Sequence, residues 1–151
     1  MPHSYTNLLY HLVFSTKDRR PLIDESLRSR LYEYLGGTIR RLGGIALEIG
    51  GIADHMHLLV KLRQDHALSA ILRDLKANSS GWINQHELIG TQRFAWQPGY
   101  GAFTVSESQV EKVKQYIRNQ EAHHHKSTFQ EEFVTLLKAH GIEYDLEHLW
   151  R

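Results

Sequence analysis

Two histidines separated by one apolar residue, His55-Met56-His57, are the residues whose type and spacing first suggest chemistry. They begin an apolar run that continues to Leu62 and is typical of a β-strand. Side chains at positions i and i+2 of a strand share one face, so both imidazoles would project together while Met56 points to the opposite face. Two adjacent imidazoles form half of a metal site. In a chain with 11 histidines, the alternative is a polar strand face without a ligand role.

A phenol and an amide stand four residues apart in the stretch from Tyr116 to Gln120, and Tyr116 lies 59 residues after His57. Residues at this spacing lie on one face of a helix, so the two side chains could project together. The alternative for Tyr116 is a half-buried core tyrosine with its hydroxyl at the surface, which is the commoner fate of a helix tyrosine. Gln120 taken alone would be a surface residue.

Composition excludes several kinds of site. The chain has no cysteine, which rules out disulfides, thiolate catalysis and cysteine-ligated zinc, so His, Asp, Glu, Gln or Asn must hold any metal. The net charge of +1 argues neither for nor against a nucleic-acid partner, although residues 1–120 carry +4 and residues 121–151 carry −3. No apolar run is long enough for a membrane span, and the first residues lack the layout of a signal peptide, so a cytoplasmic location is expected.

Apolar periodicity divides the chain into strands and helices. The predicted strands span residues 8–15, 45–49, 52–62 and 94–105, and the predicted helices span residues 24–42, 66–88, 106–122 and 128–139. Asp24 or Ser26 is expected to cap the first helix, and Gly43-Gly44 to end it. Each of these features is local, so it predicts an element without placing that element in space.

The order of the elements predicts the fold class. Gly50-Gly51 is expected to form the turn between the second and third strands, and Ser106 with Gln109 resembles a capping box before the third helix. Strand, helix, strand, strand, helix, strand is the split βαβ order of a ferredoxin-like α+β domain with an antiparallel sheet. A helix carrying Tyr116 and a short tail helix then follow, and residues 1–151 are expected to form a single domain.

The two chemical pairs, in this order, resemble the single-tyrosine transposases of the insertion-sequence 200/605 (IS200-like) family. His55-Met56-His57 is similar to the His-hydrophobic-His motif of that family, and Tyr116 with Gln120 is similar to its Tyr-x-x-x-Gln helix. Further similar stretches are residues 11–17, 96–103 and 129–133, followed by Tyr144-Asp145 and Leu149-Trp150. The resemblance covers nearly the whole chain, and the ordered co-occurrence of the motifs is more specific than any one of them.

The resemblance implies a metal-dependent DNA transposase that cleaves and rejoins single-stranded DNA at hairpin-bearing element ends. Tyr116 is then the nucleophile, which would form a 5′-phosphotyrosine and free a 3′-hydroxyl, so no nucleotide cofactor is required. His55, His57 and Gln120 would hold a divalent ion, Mg²⁺ or Mn²⁺, at the scissile phosphate. A homodimer with composite active sites is implied as well. The sequence does not identify the group that deprotonates Tyr116.

Basic and aromatic residues are expected to contact the single strand through phosphate pairing and base stacking. These residues are Lys17, Arg19, Arg20, Arg73, Lys76 and Trp82. Asp54 either supports a histidine ligand from behind or is a solvated turn aspartate. The run His123-His124-His125 would fan out around a helix end and is expected to be solvated.

Two alternatives to an active transposase are compatible with the sequence. A domesticated relative or a replication-type single-strand nickase would use the same tyrosine and metal on a fixed hairpin. A non-catalytic ferredoxin-like nucleic-acid-binding module would use the two histidines only as structural residues.

Overall fold

Four strands form one antiparallel sheet in the computed structural model, which describes residues 4–124 and 126–150. The strands are β1 (Leu8–Ser15), β2 (Ile45–Ile52), β3 (His55–Leu62) and β4 (Gly101–Val105). Their order across the sheet is β2-β3-β1-β4, so β1 and β3 are the central pair. This is the α+β architecture of the predicted ferredoxin-like fold.

Five α-helices are present in the described part of the chain. They are α1 (Glu25–Arg41), α2 (Leu68–Gln85), α3 (Val110–Arg118), α4 (Gln120–His124) and α5 (Phe129–Ala139). Asp24 caps α1 as predicted, because its carboxylate accepts a hydrogen bond from the Leu27 amide at 2.8 Å. Within residues 4–124 and 126–150, no helix is long and apolar enough to cross a bilayer.

The two faces of the sheet are covered by different helices. On one face, β1 and β3 contribute Leu12, Phe14, Met56 and Leu58 to a core that α1 and α2 complete. On the other face, the apolar contacts fall into two smaller clusters under α3 and α5; their buried members are Leu9, Leu59, Val110 and Ile117, and Val13, Phe103, Phe129 and Leu137. Central strands buried on both faces need apolar residues at nearly every position, which explains the continuous apolar run of β1.

The predicted glycine turn between the second and third strands is wrong. Gly50 and Gly51 lie within β2, and the chain reverses at residues 53–54. A Cβ atom on Gly50 would lie 2.4 Å from the carbonyl oxygen of Ile117, and one on Gly51 would lie 2.3 Å from that of His55. The glycines therefore permit close approach of neighbouring backbone, with α3 lying directly on β2.

The predicted fourth strand is too long, since β4 begins only at Gly101. The preceding segment makes one isolated bridge, between Trp96 and Thr16, and then leaves the sheet. Pro98 lacks an amide donor, and Gly99 has a φ of +89°, so the chain turns here instead of continuing the ladder. The Trp96 indole donates to Ser79 Oγ on α2 at 2.9 Å, which anchors the turn.

The predicted helix over residues 106–122 is two helices. Ser106 forms no capping box, because its hydroxyl pairs with that of Ser108, and a 3-10 turn precedes α3. The helix is interrupted at Asn119, after which α4 begins. The last predicted helix is α5, where Thr128 and Glu131 form a true capping box.

Candidate active site

His55 and His57 lie on the face of β3 that turns towards α3, α4 and α5. Both side chains are 0% exposed and their ring centroids are 5.0 Å apart, while Met56 is buried in the core on the opposite face. The strand alternation therefore acts as predicted. Two buried imidazoles on an inner strand require polar partners.

Tyr116 and Gln120 reach the same place although they do not share one helix. Tyr116 lies near the end of α3 with its ring centroid 5.7 Å from that of His57, and Gln120 is the first residue of α4. The Oε1 atom of Gln120 is 3.0 Å from Nε2 of His55. All four residues predicted from the two motifs thus converge in one buried site.

Glu132 stands at the centre of this site, although it belongs to neither of the two sequence motifs and was not predicted as a site residue. Its Oε1 atom lies 3.2 Å from His55 Nε2 and 3.1 Å from His57 Nε2. Its Oε2 atom accepts a hydrogen bond from the Tyr116 hydroxyl and another from Gln120 Nε2 at 3.1 Å. A signal existed in the sequence, because a carboxylate follows Phe129 by three residues on the apolar side of α5, where charge is costly.

The side chain of His124 is buried, so the prediction that the histidine run is solvated is wrong for this residue. Its side chain is 4% exposed, its Nδ1 lies 2.8 Å from the Ser127 carbonyl oxygen, and its Nε2 lies 3.0 Å from Glu132 Oε1. Successive helix residues point in different directions, so one member of the run must face the sheet. His123 is more exposed, with Nε2 3.6 Å from Glu132 Oε2, and His125 lies outside the described residues.

A second layer of contacts orients the two strand histidines. Asp54 Oδ1 lies 2.7 Å from His55 Nδ1, and His11 Nε2 lies 2.7 Å from His57 Nδ1. Both Nε2 atoms are thereby left pointing towards Glu132. Asp54 is thus a support for His55 rather than a free turn aspartate, and His11 has a contact that its place in the β1 motif alone did not reveal.

His55, His57 and Glu132 differ in charge state. Burial lowers the pKa of His57 to about 4, so this imidazole is neutral at neutral pH. Burial acts in the same direction on His55, but its hydrogen bonds to Asp54 and Glu132 prevail and raise its pKa to about 9. Burial alone would raise the pKa of Glu132, yet hydrogen bonds from the surrounding imidazoles hold it well below the ordinary value. The carboxylate is therefore charged and the cluster carries an internal ion pair.

Ionisation of the Tyr116 phenol is strongly disfavoured in this environment. Burial raises its pKa, and the neighbouring negative charge of Glu132 raises it further. Positive charge placed beside the carboxylate would act in the opposite direction.

The cluster can hold a metal ion. His55, His57, His124 and Glu132 each offer one ligand atom, and these atoms all lie within 4.8 Å of one another. Three imidazole nitrogens and one carboxylate oxygen suit a divalent first-row ion, and the buried negative charge favours a cation. The amide oxygen of Gln120 adjoins the same space.

The six residues predicted to contact DNA occupy two separate places. Lys17, Arg19 and Arg20 follow β1, where the Arg19 guanidinium lies 5.3 Å from the centre of the Trp150 ring. A cavity of about 630 Å³ joins this turn to the cluster of histidines around Glu132, since Arg19, Asp54 and His124 all line it.

The other three residues lie on α2, and two of them have internal partners. The Lys76 ammonium donates to the carbonyl oxygens of Gln97 and Gly99 at 2.6 and 2.7 Å. Trp82 stacks on Tyr34 with ring centroids 4.3 Å apart. Arg73 is exposed beside Asp74. Of these three, Arg73 retains the most accessible charged group.

Known proteins similar in sequence to this chain are transposases. A family model described as "Transposase IS200 like" matches residues 4–120, which include both motif pairs but not His124 or Glu132. The IS200 transposase of Salmonella typhimurium is 28% identical over 130 residues, covering 80% of this chain and 81% of that protein. The ISDra2 transposase TnpA of Deinococcus radiodurans is 25% identical over 119 residues, covering 75% and 84%.

Two solved structures have the same fold. A crystal structure described as that of a transposase from Deinococcus radiodurans aligns with a TM-score of 0.66 and 25% identity, covering 80% of this chain and 95% of that one. The structure of a REP-associated tyrosine transposase bound to a REP hairpin aligns with a TM-score of 0.60, covering 82% and 73%. At 16% identity, the second likeness concerns the fold alone.

Proposed function

Because the chain belongs to the IS200-like transposase family, whose members cleave DNA and transfer strands, we propose that it acts on single-stranded DNA at hairpin-bearing element ends through a 5′-phosphotyrosine. One observation carries the proposal: the hydroxyl of Tyr116 lies within the same buried cluster as the two strand histidines. A core tyrosine without a chemical role would have no need of this setting.

The chemical step is a transesterification. The Tyr116 oxygen attacks the scissile phosphorus, a tyrosine–phosphate bond forms, and the bond from phosphorus to the 3′-oxygen breaks. The proton that the phenol loses balances the one that the leaving 3′-oxygen gains. Rejoining is the reverse reaction, in which a 3′-hydroxyl attacks the phosphotyrosine. Since the number of phosphodiester bonds is unchanged, no nucleotide cofactor is needed.

His55, His57 and Gln120 would hold a divalent ion, Mn²⁺ or Mg²⁺, in this scheme. The bound ion supplies charge neutralisation at the scissile phosphate. The chain's own residues hold the reacting groups in place: Asp54 orients His55, and Gln120 spans the space between His55 and Glu132. Two imidazoles are softer ligands than magnesium prefers, which favours manganese.

The proposed substrate approaches along the turn after β1. Lys17, Arg19 and Arg20 supply positive charge there, and the cavity that Arg19 lines continues to His124 at the cluster. The hairpin in the REP-associated transposase structure supports a hairpin substrate for this chain by analogy of fold. Arg73, Lys76 and Trp82 on α2 are a second DNA contact in this proposal.

The proposal includes a homodimer of single-domain chains spanning residues 1–151, as the family resemblance implies. Tyr116 and Gln120 lie beside His55 and His57 of the same chain. A composite site would therefore require two chains to exchange the segment that carries α3 and α4.

The test uses a hairpin oligonucleotide with a fluorophore at its 3′ end, incubated with protein and MnCl₂ and separated on a denaturing gel. The 5′-phosphotyrosine stays with the downstream fragment, so label should move with the protein. Tyr116→Phe should abolish the adduct, whereas Tyr5→Phe, which changes a 95% exposed tyrosine, should form it normally. An adduct that survives in Tyr116→Phe would refute the assignment, and hairpin binding without any wild-type adduct would favour the binding-module alternative.

A further inference from the structure

We propose that Glu132 is a further catalytic residue, whose carboxylate joins the nucleophile to the metal site: one oxygen is a metal ligand and the other holds the Tyr116 hydroxyl. This inference rests on the proposed function and deepens it. Glu132 and His124 lie beyond the part of the chain that matches the family model, so the two family motifs do not account for them.

The two carboxylate oxygens have separate partners. Oε1 faces the imidazole side, with His55, His57 and His124 nitrogens at 3.2, 3.1 and 3.0 Å. Oε2 accepts from the Tyr116 hydroxyl and from Gln120. This division leaves Oε1 among the atoms that would ligate an ion and keeps Oε2 on the nucleophile.

The burial of Glu132 requires a compensating positive charge. The residue is 3% exposed, and its contacts in the described part of the chain are imidazoles, an amide and a phenol, with no lysine or arginine. When His55, His57 and His124 give their lone pairs to an ion they carry no positive charge, so the ion would then be the positive partner of the carboxylate. Glu132 would therefore pair with the ion in the metal-bound protein, as it pairs with His55 in its absence.

The position of Glu132 is set by elements with other anchors. The Thr128–Glu131 capping box fixes the start of α5, and Phe129 and Leu137 pack against Val13 and Phe103 of the sheet. Because α5 is held on both sides of Glu132, the carboxylate is presented to the cluster at a defined place. Preorganised ligands of this kind bind metal with less loss of entropy.

The consequence for the reaction is that one side chain would position the nucleophile relative to the metal site. Oε2 of Glu132 holds the Tyr116 hydroxyl, and Oε1 would be a ligand of the ion, so the phenol would be kept beside the metal site. The positive charge of the ion also offsets the carboxylate charge that otherwise opposes ionisation of the phenol. A negatively charged carboxylate ligand would also bind a divalent cation more strongly than neutral donors alone would.

Metal binding in the absence of DNA tests the ligand half of the inference. Mn²⁺ titration followed by electron paramagnetic resonance should show binding to the full-length wild type and at least about tenfold weaker binding to Glu132→Gln. Glu121→Gln, which removes an exposed carboxylate on α4, is the matched control and should bind like the wild type. Tyr116→Phe should also bind normally. Equal Mn²⁺ affinity of Glu132→Gln and wild type, when circular dichroism shows both to be folded, would overturn the ligand role of Glu132 and leave the proposed function standing.

Adduct formation at saturating Mn²⁺ tests the other half. If Glu132 also holds Tyr116, saturating metal should not restore the rate of adduct formation in Glu132→Ala. That variant should remain at least about tenfold slower than wild type. Full restoration of the adduct rate would overturn the nucleophile contact. If the wild type forms the adduct but binds no Mn²⁺, both the metal part of the proposed function and the ligand role of Glu132 are overturned. If the wild type binds Mn²⁺ but forms no adduct, the transposase chemistry is overturned and the ligand role of Glu132 remains supported.

Discussion

The two faces of the sheet use the same strands for opposite purposes. On the α1 and α2 face, β3 contributes Met56 and Leu58 to a continuous apolar core. On the opposite face, β3 contributes His55 and His57, and the apolar contacts are divided into two clusters around a buried polar site. One face therefore supplies stability through apolar burial, and the other gives up part of that stability to hold buried ionisable side chains.

Adjacent residues of β3 provide the largest test of this difference. His57→Ala should abolish metal-dependent adduct formation and leave hairpin binding and folding largely intact, because the substitution removes a proposed metal ligand. Met56→Ala should lower the free energy of unfolding by about 2–5 kcal/mol, because it leaves a cavity in the core. Urea denaturation and the denaturing-gel assay measure the two effects. A His57→Ala variant that fails to fold would instead favour a structural role for the histidine.

Gly50 lies against α3 on the site face, so its substitution should affect both stability and activity. Gly50→Ala places a methyl group 2.4 Å from the Ile117 carbonyl oxygen, so α3 must shift. We expect a loss of about 1–3 kcal/mol in stability, together with slower adduct formation, since Tyr116 lies on α3. Gly37→Ala in α1 is the matched control, because nothing lies within 4 Å of the added atom. If Gly50→Ala behaved like this control, the close packing of α3 on β2 would be disproved.

His11 tests how far the polar site extends beyond its first contacts. His11→Ala should weaken Mn²⁺ binding about tenfold, because His57 loses the partner of its Nδ1 atom and with it a fixed orientation. His66→Ala removes a histidine that contacts Leu42 and Arg63 and should leave Mn²⁺ affinity unchanged. Isothermal titration at one pH gives both values. Unchanged affinity in His11→Ala would restrict the functional site to the residues around Glu132.

The pH dependence of the two faces should differ as well. The folded-state pKa of His55 is raised to about 9 from 6.5, so its ion pair stabilises the metal-free protein fully below about pH 6.5 and loses this effect as pH rises through about 9. Metal competes with that proton, so Mn²⁺ affinity should rise with pH over the same window and then level off. Replacing Met56 should lower stability by a similar amount at every pH. Mn²⁺ affinity that is constant from pH 6.5 to 9 would contradict the raised pKa.

Local patterns in the sequence predict the local geometry correctly. Period-two alternation separates Met56 from His55 and His57, and Asp24 caps α1, because these relations depend only on residues a few positions apart. The predicted glycine turn and the predicted Ser106 capping box are wrong because the surrounding structure overrides the local pattern. Gly50-Gly51 and Ser106 match turn and cap chemistry, but the contacts of α3 with β2 and the short 3-10 turn decide their conformations.

The sequence by itself therefore determined the order of the elements, the strand histidines and the motif that carries Tyr116 and Gln120. Only the tertiary structure decided that Glu132, His124 and His11 join them, because these contacts connect residues 75, 8 and 46 positions apart across different elements. A buried carboxylate on the apolar side of α5 is visible in the sequence, but its partners are not. The packing of α5 against β1 and β4 brings Glu132 close to the histidines, and this proximity cannot be predicted from the spacing of the residues along the chain.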